Sequence, residues 1–193
     1  MSWLSNINEI EKCLQLLAAS RGDAGNIPID DAFGIWIDMT VHIRERKRTI
    51  FLIGNGASAS MASHVAADLA KNGHVHTEVF SDLSLITAIA NDLSYDEVFA
   101  EPLRRRMKSG DMLVAISSSG KSVNVLKAAE EGRKLGGLMV TLSAMKSDNS
   151  LTSKGDLNFY VPAATYGLAE TCHAAILHHW IDKIVERNSQ QTS

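Results

Sequence analysis

Thr49-Ile50-Phe51-Leu52-Ile53 is an unbroken, largely apolar run, cut off at once by Gly54-Asn55-Gly56. A run so short and so uniformly apolar fits a strand covered on both faces, the central position in a parallel sheet. The same device recurs along the chain. Val75 to Phe80 fits a second strand, and Met112 to Ile116 a third that runs into Ser117-Ser118-Ser119-Gly120-Lys121-Ser122. Leu138 to Leu142 fits a fourth and Leu157 to Val161 a fifth. Helical stretches lie between them: one reaches Asn72 and stops at Gly73, another reaches Leu135 and closes on Gly136-Gly137, and the last runs from near Leu168 to Glu186. Strands alternating with helices of this length give βαβ units, hence an α/β fold with a parallel sheet and helices on both faces. Ligands of such sheets bind beyond the carboxyl ends of the strands, where both Gly/Ser-rich turns fall.

Ahead of the first strand, Leu4, Ile7, Ile10, Leu14 and Leu17 recur at helical spacing. A polar break follows from Ser20 to Asn26. A second helix is expected from Asp30 or Asp31, with Phe33, Trp36, Met39, Thr40 and Ile43 on one face. The chain then divides into an N-terminal helical segment, residues 1–48, which packs on the core and supplies an oligomer interface. The α/β domain occupies 49–187, and a polar tail, 188–193, is expected to be disordered.

The chain has 193 residues, enough for one substantial core, and a net charge of −3. That charge offers no basic field to nucleic acid or an anionic membrane, so a phosphate site must be built locally. Cys13 and Cys172 are far apart and form no CxxC, which fits a reducing compartment better than a disulfide framework. The opening residues lack the basic and then apolar order of a signal peptide, and no apolar run approaches a membrane span. The expected location is the cytoplasm.

Two turns carry the chemistry. Gly54-Asn55-Gly56-Ala57-Ser58-Ala59 satisfies the loose dinucleotide pattern GxGxx(G/A), with Glu78 near the place of a ribose-binding acid. A tight strand-to-helix turn without a ligand is the plainer alternative. Ser117 to Ser122 ends in Gly-Lys-Ser like a P-loop, but Ala115 stands where the opening glycine is required. What remains is a cluster of hydroxyls and backbone N–H groups at a helix N-terminus, a site for a phosphate monoester that needs no net positive charge.

Taken together the two turns resemble the signature of the sugar isomerase (SIS) domain family, in which a serine-rich turn cradles the phosphate of a sugar phosphate. The likeness extends through Asn91-Asp92 and Glu97-Val98-Phe99 to the C-terminal helix, over residues 30 to 187, and in order and spacing is similar to the phosphoheptose isomerases. It implies a Rossmann-like, flavodoxin-type three-layer domain. It also implies isomerisation of sedoheptulose 7-phosphate to D-glycero-D-manno-heptose 7-phosphate, which feeds heptose into lipopolysaccharide or related glycans. Asn55, Gly56, Ala57, Ser58, Asn91, Asp92, Ser117, Ser118, Ser119 and Ser122, with Glu170, would line the substrate site. A non-catalytic alternative exists in the same family, a DnaA-associated initiation factor that Leu85 to Asp92 resembles.

The helices supply further candidates. His64 and Asp68 are i and i+4 on one face, beside the apolar Met61, Val65 and Leu69. Such a pair can begin a metal site, though alone it is more often a surface pair. Glu170, His173, His178 and His179 lie on the last helix among Ile176, Trp180, Ile181 and Ile184, and by themselves read as ordinary surface and capping residues. The resemblance implies that His64, Asp68, Glu170 and His178 hold one Zn2+, with Asp68 as base and His178 as acid of an enediol mechanism. Glu170 and His178 are about 12 Å apart along a straight helix. One metal joins them only at a frayed first turn or across subunits, and the resemblance implies a homotetramer with shared sites. Asp68 and Glu170 depart from the family's glutamate and glutamine, and Asn72 and Gly167 from its arginine and aspartate.

Overall fold

The computed structural model describes residues 2–190, apart from the side chain of Asp23. The chain opens with α1 (Trp3–Gln15), β1 (Ala18–Ser20), β2 (Asn26–Ile27) and α2 (Ile29–Glu45). The alternating part follows as β3 (Thr49–Gly54), α3 (Ala57–Gly73), β4 (His76–Val79), α4 (Leu83–Asp92), α5 (Ala100–Arg106), β5 (Met112–Ser117) and α6 (Val123–Lys134). It closes with β6 (Leu138–Ala144), β7 (Leu157–Val161) and α7 (Tyr166–Gln190). Short 3-10 turns occupy Gly22–Ala24, Tyr95–Glu97 and Ser150–Ser153.

The strands form one sheet in the order β2-β1-β7-β6-β5-β3-β4. β3 to β7 run parallel, while β1 and β2 add an antiparallel edge through β7. All of β5 and nearly all of β3 are buried, as their uniform apolarity requires. Successive side chains point to opposite faces, and each face has its own core. Ile50, Leu52, Met112, Val114 and Ile116 join the core under α2, α3 and α7. Phe51, Ile53, Leu113 and Ala115 join Phe80, Phe99, Leu103 and Val125 on the other face.

The centre of the first core is a stack of Trp36 on Trp180, ring centroids 4.0 Å apart and 14° from parallel. Thr40 joins the two: its hydroxyl donates to the Trp36 carbonyl at 2.8 Å and accepts the Trp180 indole N–H at 3.0 Å. Phe33, Trp36 and Ile43 of α2 are therefore spent inside their own chain, not on a partner. The outward face of α1 differs. Trp3 is 76% exposed and Leu4 67%.

Several expectations need correction. The stretch Ser20 to Asn26 is not a plain break: β1 and β2 pair across it and extend the sheet. α4 and α5 stand where the sequence suggested no element. α4 has no fully buried residue, but Asp82 caps it by accepting the Leu85 N–H at 2.9 Å. The residue that stops α3 is not Gly73, which is its last residue and is buried, but His74, which takes the left-handed conformation at φ 55°. α7 continues through residues 188–190, where Arg44 donates to the Asn188 side chain, so the tail begins later than expected. Residues 191–193 lie outside the described residues.

Candidate active site

Among the parallel strands, β3 has β4 on one side and β5 on the other, so the chain reverses its direction of travel between β3 and β5. That reversal opens a crevice at the carboxyl ends of those two strands, the place where open α/β sheets bind ligands. The two turns singled out by sequence meet there, with Gly54 in register with Ile116. They approach so closely that a Cβ on Gly54 would lie 2.5 Å from the Ser58 Cβ and 3.0 Å from the Ile116 carbonyl. Gly56 takes φ 57°, and α3 begins at the next residue.

The second turn is fixed from below. The Gly120 N–H donates to the Ser117 carbonyl at 2.9 Å, and the Ala144 N–H donates to the Ser118 carbonyl at 3.0 Å. Gly120 has φ 62°, and its missing side chain leaves room for Asn149, whose Oδ1 would sit 1.8 Å from an added Cβ. Asn149 in turn donates to Ser143 and Lys146 and accepts the Leu151 N–H. Neither N-cap residue, Gly56 of α3 or Ser122 of α6, bonds its own helix through a side chain, though Asn124 takes the Val125 N–H in the first turn of α6. Both helices turn the positive end of their dipole toward the crevice, with the Ser58 and Ala59 N–H groups already taken by the Asn55 and Gly56 carbonyls.

Between the turns lies a cleft of about 150 Å³. Asn55 and Ser58 line it from the first turn, Ser117, Ser118, Ser119 and Ser122 from the second, and Tyr166 and Glu170 from α7. The Ser117 hydroxyl donates to Ser122 Oγ at 3.3 Å, and Ser119 Oγ accepts the Lys121 N–H at 3.3 Å. Gly56 and Ala57 are exposed at the start of α3. Asn91 and Asp92 are placed differently: they are exposed at the end of α4, hydrogen-bonded to each other at 2.9 Å, and do not line the cleft. Glu78, the candidate ribose-binding acid, pairs with Arg106 at 3.1 Å.

α3 packs along α7, and two turns further down that contact a second group forms. His64, Asp68 and His178 offer ligand atoms that all lie within 4.8 Å of one another. His64 Nε2 is 3.4 Å from Asp68 Oδ2, and the His64 and His178 rings are 5.4 Å apart. Ligands on a tetrahedral ion at about 2.0–2.2 Å sit roughly 3.4 Å apart, so the first pair already has that spacing. Both histidines are exposed, and two imidazoles with a carboxylate suit a divalent ion. Glu170 is not in this group. It belongs to the cleft, in a well-formed turn of α7. Asp68 and His178 also stand side by side rather than on opposite sides of a substrate space.

Nothing in the sequence marks Asn124, Tyr95 or Tyr166, and His173 there reads as a surface residue. His173 is fully buried on α7, with its Nε2 3.2 Å from the Ser143 carbonyl. Burial lowers its pKa from 6.5 to about 4. The folded protein keeps it neutral where the unfolded chain has begun to protonate it. Its contribution is full above pH 6.5 and falls as pH drops from there toward about 4. Wild type should lose up to about 3 kcal/mol across that window through this group. His173→Gln should flatten that part of a urea-unfolding stability profile, and an unchanged profile would refute the assignment.

Comparison with known proteins bears on both groups. The SIS domain profile matches residues 29–144. The phosphoheptose isomerase of Thermodesulfovibrio yellowstonii is 36% identical over 135 residues, 67% of each chain. That of Helicobacter pylori is 35% identical over 155 residues, covering 77% of this chain and 80% of the relative. The phosphoheptose isomerase structure from Neisseria gonorrhoeae superposes with a TM-score of 0.82 at 24% identity, over 94% of this chain and 96% of that one, a likeness of fold. The Vibrio vulnificus NanR protein complexed with ManNAc-6P shares the fold at a TM-score of 0.68 and 18% identity, over 97% of this chain and 61% of that one. With more than half its length matched by the family profile and relatives above 30% identity over most of their length, the chain belongs to the SIS domain family and, within it, to the phosphoheptose isomerases.

Proposed function

We propose that this chain interconverts sedoheptulose 7-phosphate and D-glycero-D-manno-heptose 7-phosphate through an enediol, with the phosphate in the serine cleft. The observation that carries this reading is the pairing, in one domain, of a hydroxyl-lined cleft at two helix N-termini with a solvent-facing His–Asp–His group that the fold itself does not use. The cleft holds the phosphate by N–H and O–H donors. Asp68 takes the proton from the carbon beside the carbonyl, and His178, within 4.8 Å, serves the neighbouring oxygens. That closeness suits an enediol, whose reacting C–H and C–O are on adjacent atoms.

His64, Asp68 and His178 would hold a divalent ion, with zinc the preferred one. Such an ion supplies polarisation of the carbonyl and stabilises charge on the enediolate oxygens.

Ser58 and His64 are six residues apart on α3, about 9 Å, and Glu170 and His178 about 12 Å on α7. At 100° per residue the trio is also turned away from the cleft-facing side chains. Both offsets favour a site in which one copy's trio faces the cleft of the next, and with it a homotetramer. The exposed apolar residues Trp3, Leu4 and Ile7 of α1 support assembly. None of the described helices is long and apolar enough to cross a membrane, and the proposed location is the cytoplasm.

The test is isomerisation in deuterated water with zinc present. Sedoheptulose 7-phosphate should yield an aldose carrying deuterium at C2. Folded, metal-loaded protein that binds the sugar phosphate but gives neither aldose nor exchange would establish a binding module instead. Ser119→Ala with Ser122→Ala should weaken binding by roughly 1–3 kcal/mol in calorimetric titration, through lost hydrogen bonds to a charged group. Unchanged affinity in that folded variant would move the phosphate elsewhere.

A further inference from the structure

Asn124 lies in the first turn of α6, is 3% exposed, and does not line the cleft. It reaches 69 residues back in the chain to make a reciprocal pair with Asn55, which does line it. Asn55 Nδ2 donates to Asn124 Oδ1 at 2.9 Å, and Asn124 Nδ2 donates to Asn55 Oδ1 at 3.0 Å. Two amides facing each other could in principle both be reversed. Here they are not free to reverse, because the backbone N–H of Val125 donates to Asn124 Oδ1 at 2.9 Å. A backbone N–H is only ever a donor, so the atom opposite it must be the amide oxygen. Asn124 is thereby oriented, and its partner must follow.

The consequence falls on Asn55. Its Oδ1 takes the Asn124 N–H and also the Tyr95 hydroxyl at 3.2 Å, which fills both lone pairs. Its Nδ2 spends one hydrogen on Asn124 and keeps the other. Toward the cleft, the Asn55 side chain is a donor and nothing else. The short turn Tyr95–Glu97 is tied to its surroundings by Glu97, which pairs with Arg104 at 2.9 Å and with Lys127 of α6. Those contacts keep the Glu97 carboxyl below the usual carboxylate range, Lys127 most of all.

We infer that Asn124 is a positioning residue, which fixes the Asn55 amide so that it offers the cleft a single N–H to an anionic or carbonyl-type oxygen. The inference rests on the cleft's being the phosphate and sugar site proposed above. It adds the chemical selectivity of that site at Asn55: an acceptor on the ligand is welcomed there, and a donor finds no partner.

The test compares Asn124→Ala, Asn55→Ala and the double variant in the full-length protein, by calorimetric binding of inorganic phosphate and by kcat/KM for sedoheptulose 7-phosphate. Asn124→Ala should weaken both by about tenfold to a hundredfold, the scale of one lost hydrogen bond to a binding group. In the Asn55→Ala background the same substitution should change neither by more than about twofold, because its effect travels through Asn55. A merely structural role would give additive losses and an equal drop in melting temperature in both backgrounds. Asn124→Asp keeps the acceptor for Val125 but sets an oxygen against Asn55 Oδ1. It should lose binding in the wild-type background and change it by no more than about twofold in the Asn55→Ala background. Additive losses, or unchanged phosphate binding in Asn124→Ala, would overturn the inference, as would wild type that binds no phosphate. Wild type that binds phosphate but isomerises nothing would sink only the proposed reaction, since the phosphate readout still decides the role of Asn124.

Discussion

Asp68→Asn should abolish exchange of the substrate's reacting proton with solvent and lower kcat by about 10²–10⁴, the range a positioned base contributes. The amide matches the carboxylate in size and leaves the face of α3 undisturbed, but it cannot accept a proton from carbon. Asp68 is ten residues from Ser58 along α3, about 15 Å, so inorganic phosphate should bind the variant as it binds wild type. A folded Asp68→Asn protein that isomerises at a near wild-type rate would remove Asp68 as the base. The same variant tests the shared site. Co-expressed with Ser119→Ala/Ser122→Ala, it forms mixed assemblies in which an intact trio from one copy can meet an intact cleft from another. Activity should then reappear, although each variant alone is impaired. Mixed assemblies with no more activity than their parents would place trio and cleft in service of the same chain.

The central strands were readable in the sequence because burial on both faces leaves an unmistakable run. β3 and β5 are apolar but for Thr49 and Ser117 at their ends, and they run into a glycine and a serine turn, so local composition alone marks them. β1 and β2 have no such mark. β1 exists because β7 offers an open edge, with Ala19 opposite Phe159, and β2 adds to β1; a pairing across some 140 residues leaves little trace in strands of three and two residues. α5 escaped for a related reason. Its Arg104 is held by Glu97 and Glu101, so a good part of its outer surface is ion-paired rather than apolar.

The site divides in the same way. Four serines in six positions declare an anion cluster whatever surrounds them, and the structure gathers all four around one cleft. His64 and Asp68 share a helix face by spacing alone, but His178 reaches them only because α3 and α7 pack side by side. Asn124 was not legible at all. A buried asparagine near a helix start looks like any capping residue until its partner, 69 positions away, is known. Asn91 and Asp92 show the converse: a well-matched motif can mark a surface turn that one isolated chain leaves outside its own cleft.

Gly54→Ala should damage both stability and phosphate binding, and Gly56→Ala, two residues away, should act by a different route. At Gly54 the backbone is ordinary and the obstacle is contact. The added Cβ would meet the Ser58 Cβ at 2.5 Å, the Ser58 main chain at 2.9 Å and the Ile116 carbonyl at 3.0 Å. Two of those atoms are backbone, so no rotamer change relieves the crowding. The carboxyl end of β3 must part from α3 and β5, which opens the cleft where both turns meet. Overpacking of this kind costs about 1–3 kcal/mol or somewhat more, and phosphate affinity should fall with it by at least about tenfold, as lost hydrogen bonds to the anion imply. At Gly56 a Cβ meets nothing within 4 Å, and the obstacle is the backbone, at φ 57° and ψ −124°. An L-residue there is strained by about 1–3 kcal/mol, yet the seats of Ser58 and Ile116 are not directly pushed. Urea unfolding should therefore show both variants destabilised, while phosphate titration separates them, with Gly56→Ala keeping most of its affinity. A Gly54→Ala protein as stable and as tight-binding as wild type would mean that the two turns do not approach as closely as the structure has them.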